Sequence, residues 1–458
     1  MRVAYVSSDP GVPVFGRKGS SVHVQAVLRE LVRAGAEVHV VTTRPGGDVP
    51  ADLADAAGVV VHEVPVDRTS GTADREVALR AADARVTAVL DDLTAAGPLD
   101  LVYERYSLWG TAATAWARDA GVPSVLEVNA PLVEEQRTHR ELVDEAGAER
   151  CARAAIGAAT AVVAVSGPVA AWAADRAGAR PEKVRVLSNG VDTARIVPEP
   201  GRRALPDSSR GRVHGRQGAL HCGRDTSARR ARQGATTFTV LFVGTLKPWH
   251  GLDVLVDAFS RVRDRVPDAR LLLVGDGPGR DDVLAQARER GVGAAVESTG
   301  AVVPADVPVL LRRADVAVAP YPDLDRFYFS PLKVYEYLAA GLPVVASAVG
   351  ELPGALEHGR AGVLVPPGDV AALADALVAL AHDPDRRAGL GARARAVAVE
   401  KHDWSVVVRR ALGFAGVSLV EPAATAPPRV ERVETRFVVS TSSTSGVVST
   451  GGGGGRHA

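Results

Sequence analysis

The sequence predicts an α/β protein with two doubly wound domains in tandem. Short Val-rich apolar runs alternate with helix-length amphipathic segments, which is the pattern of βαβ units around parallel sheets. This series runs twice and is interrupted between Pro198 and Thr237. The length, 458 residues, exceeds one ordinary core but suits two domains of roughly 150–200 residues with tails.

In the first series, strands are expected at 2–7, 37–42, 59–64, 99–103, 124–127, 161–166 and 183–187. Helices are expected between them at 21–34, 74–95, 109–120 and 133–155. Gly35 and Gly121 stand just past two of these helices, where a left-handed residue favours a stop. Asn189-Gly190 marks a turn. The second series has strands at 239–244, 271–275, 296–299, 316–320, 343–346 and 362–365. Its helices are expected at 252–266, 280–290, 331–340 and 370–380. The boundaries follow: domains at 1–197 and 238–401, a linker at 198–237, a closing helix at 402–418 and a tail at 419–458. The linker carries nine Arg against two Asp and reads as disordered. It is a solvated tether or, alternatively, a basic contact with an anionic membrane surface. The Pro/Thr/Ser/Gly-rich tail is also expected to be disordered.

The 54 basic and 54 acidic residues cancel, which argues against a protein that coats nucleic acid. Two cysteines, Cys151 and Cys222, lie far apart without CxxC spacing. That excludes a disulfide framework and a cysteine zinc site, and it fits a reducing compartment. The chain enters its first strand directly and holds no run of 18 apolar residues, so no export leader or membrane span is expected. A cytoplasmic location is the expectation, with peripheral membrane contact left open. In such a protein, ligands are expected at the carboxyl ends of the strands, in the crevice between the domains.

The most informative stretch is Phe327-Tyr328-Phe329-Ser330-Pro331-Leu332-Lys333-Val334-Tyr335-Glu336, continuing to Ala346. Ser330 suits an N-cap and Pro331 a first helical position. Gly341 and Pro343 suit the stop. The helix N-terminus offers free N–H groups and the positive end of a dipole, an anion site. Lys333 adds a positive charge in the first turn. Glu336, one turn on, is placed to accept from a pair of sugar hydroxyls.

This stretch resembles the donor motif of GT-B-fold glycosyltransferases, specifically the retaining family 4. The resemblance covers residues 1 to about 418 and implies two Rossmann-like domains facing a central cleft. It implies that Glu336 binds the ribose hydroxyls of a nucleotide-sugar. The family's first motif Glu, which contacts the transferred sugar, is replaced by Tyr328. The variant resembles a subgroup with an FYFSPLK-type motif. Residues 242–251 resemble the family's opening strand and loop, with Thr245 and His250 where an Arg and a Lys normally hold the diphosphate. Lys247 and Lys333 are then expected to supply positive charge, with Thr245 and His250 as hydrogen-bond partners. Ser330 and Leu332 join the donor site at the helix start. Val302 and Val303 lie in the segment resembling the loop that receives the base.

In the first domain, the segment 16–23 resembles the Gly-rich loop that opens a helix, with Gly19 offering N–H groups to phosphate. His23 at that helix start faces either the cleft or, more commonly for such a residue, solvent. Residues 127–135 resemble the subgroup's Glu-x-Asn-Ala-Pro-Leu segment. Asn129 stands near the place where many relatives carry a His that contacts the donor sugar. It either bonds the sugar or shapes the turn. Arg105 and Glu135 are candidates for acceptor contact, while His139 reads as a surface residue.

The resemblance implies sugar transfer with retention, from a UDP- or GDP-sugar to an acceptor that is a glycan, a lipid-linked molecule or a small metabolite. It requires no metal and no resident cofactor, since the nucleotide-sugar is a substrate. Lys333, Lys247 and Asn129 are the residues expected nearest the chemistry, which rests on positioning and charge stabilisation. The competing readings are a scaffold that binds nucleotide-sugars without transfer, and an epimerase or phosphorylase of the same fold.

Overall fold

The computed structural model describes residues 1–54, 58–198, 237–324, 327–328 and 330–419. The expected basic linker and C-terminal tail fall almost wholly outside the described residues. Residues 1–420 cluster as one unit.

The first sheet has seven strands in the order β3-β2-β1-β4-β5-β6-β7. They are β1 (Arg2–Ser7), β2 (Glu37–Thr42), β3 (Val59–Glu63), β4 (Leu101–Arg105), β5 (Ser124–Val128), β6 (Ala161–Ala164) and β7 (Val184–Val186). The second sheet has six in the order β10-β9-β8-β11-β12-β13. These are β8 (Thr239–Val243), β9 (Arg270–Val274), β10 (Val296–Ser298), β11 (Val316–Ala319), β12 (Val344–Ser347) and β13 (Val363–Val365). Every strand pairing is parallel. Strand order reverses between β1 and β4 and again between β8 and β11, and ligand crevices of doubly wound sheets open at such points.

The near-continuous apolar runs are explained by helices covering both faces, which leave the central strands without exposed side chains. The C-terminal helix Trp404–Phe414 does not stay with the second sheet. Its Trp404, Val407, Val408, Ala411 and Leu412 complete the core that covers β1, β2 and the Gly19–Arg33 helix. No helix among the described residues is long and apolar enough to cross a membrane.

The expected helix stops hold where a local reason exists. Gly35 and Gly121 adopt φ +76° and +70°, and the chain past Arg33 closes through Gly35 N to Val32 O and Ala36 N to Leu31 O. Other expectations are corrected. The helix expected over 133–155 is two helices, Leu132–His139 and Glu145–Ala158. Glu76 accepts from the backbone N–H groups of Val143 and Asp144 at 2.9 and 3.0 Å, which pulls that stretch out of helical bonding. Asp144 then caps the second helix by accepting from Gly147 N at 2.7 Å. The helix expected from residue 109 starts at Ala112, because Asp83 accepts from the N–H groups of Thr111 and Ala112. The strand expected over 99–103 runs instead over Leu101–Arg105, so Arg105 ends a strand. The helices Gly167–Ala174 and Pro384–Val397 were not foreseen.

Candidate functional site

The Leu332–Ala339 helix points its first turn at the carboxyl end of β8. There the chain turns through Gly244, where a Cβ would stand 3.1 Å from Lys333 Nζ. The ammonium sits 4.2 Å from the Phe242 ring centroid and 5.1 Å from that of Tyr321. It is buried and has no hydrogen-bond partner among the described residues. Burial lowers its pKa to about 7, against the opposing pull of Glu336. Glu336 is raised to about 7 by burial, with Arg195 and Lys333 drawing it down. A buried ammonium on aromatic faces, without an anion, is costly unless a ligand supplies the counter-charge. Tyr321 and Phe242, which build this seat, were not singled out from sequence. An aromatic residue next to the end of one strand and another just past its neighbour are the available signals.

Gly251, at φ +66°, separates the loop after β8 from the Leu252–Arg265 helix. His250 Nδ1 donates to the carbonyl of exposed Thr245 at 2.5 Å, and burial holds the imidazole pKa down at about 4. The neutral ring therefore keeps Nε2 as an acceptor. Lys247 takes a separate aromatic seat, with Nζ 4.5 Å from the Trp249 ring centroid. The two lysines thus lie over different rings.

Neither helix N-terminus at the cleft has an acidic residue in its first turn or a side-chain cap. This leaves N–H groups and dipole for an anion. Gly19 opens the Gly19–Arg33 helix directly opposite Leu332, and a Cβ at Gly19 would lie 4.0 Å from Leu332 Cδ1. Ser330 is not the N-cap expected of it. Pro331 holds that position, and the Ser330 hydroxyl instead accepts from Asn189 N at 3.3 Å, a contact between the halves. Val302 is half-buried and Val303 exposed, beside Pro304, whose carbonyl accepts from Arg195 at 2.9 Å.

In the first half, the structure gathers His23, Arg105 and Asn129 around a residue to which no role was given, Glu127. His23 is buried rather than a surface residue. Its Nε2 lies 2.7 Å from Glu127 Oε1, an ion-pair contact rather than an aligned hydrogen bond, and its ring meets Trp404 edge-on. Arg105 Nη1 and Asn129 Nδ2 donate to the same oxygen at 3.3 and 2.6 Å, and the Tyr103 hydroxyl donates to Oε2 at 2.7 Å. Burial alone would raise the Glu127 pKa. The charges of His23 and Arg105 and the Tyr103 bond outweigh it and hold the group at about 2.

Glu135 belongs to a different place. It lines a cavity of about 810 Å³ with Trp109, His139, Arg75, Trp249 and Tyr328. The Tyr328 hydroxyl donates to Glu135 Oε1 at 2.5 Å, and the Tyr328 carbonyl accepts from the Ser166 hydroxyl at 2.7 Å. His139 is exposed, as expected, but it borders this cavity.

The chain is similar to known proteins. Residues 17–195 match Glycosyltransferase Family 4, and residues 237–383 match the family described as Glycosyl transferases group 1. The D-inositol 3-phosphate glycosyltransferase of Salinispora tropica is 30% identical over 424 residues, which are 88% of this chain and 82% of that protein. The phosphatidyl-myo-inositol mannosyltransferase of Mycobacterium leprae is 40% identical over 170 residues, 37% of this chain and 44% of that one. Among solved structures, Anabaena HepE with UDP and glucose bound superposes with a TM-score of 0.60 at 20% identity. That match covers 90% of this chain and 99% of HepE, so the two parallel sheets are those of the GT-B fold. The chain belongs to the group 1, family 4 glycosyltransferases.

Proposed function

We propose that the protein transfers a sugar from a UDP- or GDP-sugar to a hydroxyl of an inositol-type polyol, free or lipid-linked, with retention of configuration. The observation that carries the donor half is Lys333. A buried, unpaired ammonium lies between two rings at an uncapped helix N-terminus, with the Glu336 carboxyl one turn on. The leaving nucleoside diphosphate gains negative charge as the glycosidic bond breaks. A preorganised cation and helix dipole stabilise that charge without rearrangement. Glu336 accepts the ribose hydroxyls. The acceptor occupies the cavity beside Glu135 and Tyr328, whose aromatic walls Trp109 and Trp249 suit a sugar-like ring. The inositol class is supported by what the relatives' names say those proteins act on. Retention follows the front-face route, in which the leaving phosphate takes the acceptor proton, and no metal is required.

Thermal stabilisation by UDP, GDP, UDP-glucose and GDP-mannose tests the donor site in the wild type, Lys333→Ala and Glu336→Ala. A rise of several degrees with one base, largely lost in both variants, supports the reading. No rise with any nucleotide removes it. The anomeric configuration of a product, read by NMR, tests retention.

A further inference from the structure

Glu127, the last residue but one of β5, is almost fully buried, at 4% exposure, and the donor reading gives it no task. The parallel register sets Arg105 of β4 beside it, and Asn129 follows two residues on, toward the same side of the extended chain. Four side chains address one carboxylate: Tyr103 at Oε2, and Asn129, Arg105 and His23 at Oε1. An ionised carboxylate accepts hydrogen bonds and donates none. The Asn129 amide therefore has only one admissible orientation, with its NH2 on Glu127 and its Oδ1 turned away. That Oδ1 is buried and has no partner among the described residues. Such an atom is expensive to leave unfilled and calls for a donor that arrives with a ligand. The residue lies just past the carboxyl end of a central strand, where ligands of such sheets bind.

We propose that Glu127 is a positioning residue that sets the polarity of Asn129, so that Oδ1 serves as the acceptor for a substrate hydroxyl. The proposal rests on the transferase reading above. The hydroxyl comes from the donor sugar or from the acceptor alcohol, which present the same O–H chemistry. An Asn129 amide turned the other way would offer N–H groups and reject that contact.

The test is a double-mutant cycle on the two residues. Glu127→Met fills much the same volume but removes the acceptor that Asn129 Nδ2 donates to at 2.6 Å, so the amide loses its fixed orientation. Asn129→Ala removes the amide and with it Oδ1. The double variant Glu127→Met/Asn129→Ala lacks both.

Affinities for UDP, GDP, UDP-glucose and GDP-mannose are read by calorimetry. Transfer from the two sugar nucleotides is read with 1D-myo-inositol 3-phosphate as acceptor, and folding is checked by melting. Nucleoside diphosphate affinity is expected to stay unchanged throughout. Each single variant loses roughly tenfold or more. The loss falls in the extra affinity conferred by the sugar if the hydroxyl is the donor's. It falls in kcat/KM for the acceptor alone if the hydroxyl is the acceptor's. The double variant loses no more than Asn129→Ala alone, because Glu127 acts through Asn129. Single variants equal to wild type in both arms overturn the proposal, as does a folded double variant whose loss is the sum of the two single losses. Absence of nucleotide binding by the wild type removes the transferase reading itself, and the proposal with it.

Discussion

The Tyr328 hydroxyl reaches across the acceptor-side cavity and donates to Glu135 Oε1 at 2.5 Å, joining a loop of the second half to a helix of the first. Burial and the neighbouring carboxylate both push the phenol pKa upward, so it remains a donor at any physiological pH. Tyr328→Phe keeps the ring and removes the bond. It is expected to lower the transfer rate roughly tenfold while nucleoside diphosphate affinity holds within about twofold. Steady-state kinetics beside calorimetry checks this. Unchanged transfer would show that the bond plays no part in aligning the two halves.

Removing the ammonium should weaken nucleotide binding directly. Lys333→Ala is expected to cost roughly 10–100-fold in affinity for the preferred nucleoside diphosphate. The fold should persist, because the free protein gains nothing from a buried unpaired charge.

The same lysine sets a pH dependence. In the free protein its pKa is lowered to about 7 from 10.5, so the folded chain binds fewer protons than the unfolded chain between those values. Its contribution therefore makes stability rise with pH across that window. Glu336 acts oppositely below it. Its pKa is raised to about 7 from 4.5, so stability from this group is lost as pH climbs through that range. Bound diphosphate returns the lysine to its charged form. Binding above pH 7 is therefore expected to take up a proton and to weaken as pH rises. Calorimetry at pH 8 in buffers of different ionisation enthalpy reads this uptake, and its absence would exclude Lys333 as the counter-charge.

Gly251→Ala should unsettle the phosphate-side loop. The glycine has φ +66°, and a Cβ there would stand 1.8 Å from the Pro320 carbonyl oxygen. Both strain and collision are unavoidable, so a loss above about 1 kcal/mol is expected. Thermal melting should show it, with weaker nucleotide binding because His250 shifts along with the loop.

Trp404→Ala should cost about 3–5 kcal/mol, the usual range for a buried Trp. The ring packs edge-on against His23 and leaves Gly190 no room for a side chain, since a Cβ there would lie 2.6 Å from it. Denaturant melting reads the loss. A cost below about 1 kcal/mol would show that the C-terminal helix merely rests on the first half.

Much of the fold was legible because its signals are local. Val-rich runs at strand spacing and glycines one step past helices report on their own few residues, and Gly35 and Gly121 do as expected. The break at 140–144 and the late start of the helix at Ala112 were illegible because their causes, Glu76 and Asp83, act from more than 25 residues away. The donor motif was readable as a contiguous segment, whereas the ring seat of Lys333 combines Phe242 with Tyr321 through the β8–β11 pairing. Glu127 escaped notice for the same reason. Residues 103 and 105 meet residue 127 only through sheet register, His23 arrives on a helix, and Arg105 lay outside the strand expected to end at 103.

The C-terminal helix has a consequence for biosynthesis. The first sheet is complete in sequence by Val186, yet its core lacks Val407, Val408, Ala411 and Leu412 until the ribosome has passed residue 412. The second sheet, closed by Val365, has its helices to hand before then. Order of synthesis and order of completion are therefore reversed, contrary to the usual N-terminal-first course. Nascent chains stalled with residue 400 outside the exit tunnel are expected to protect the second half from protease and leave the first half cleavable. Equal protection of both halves would contradict this order.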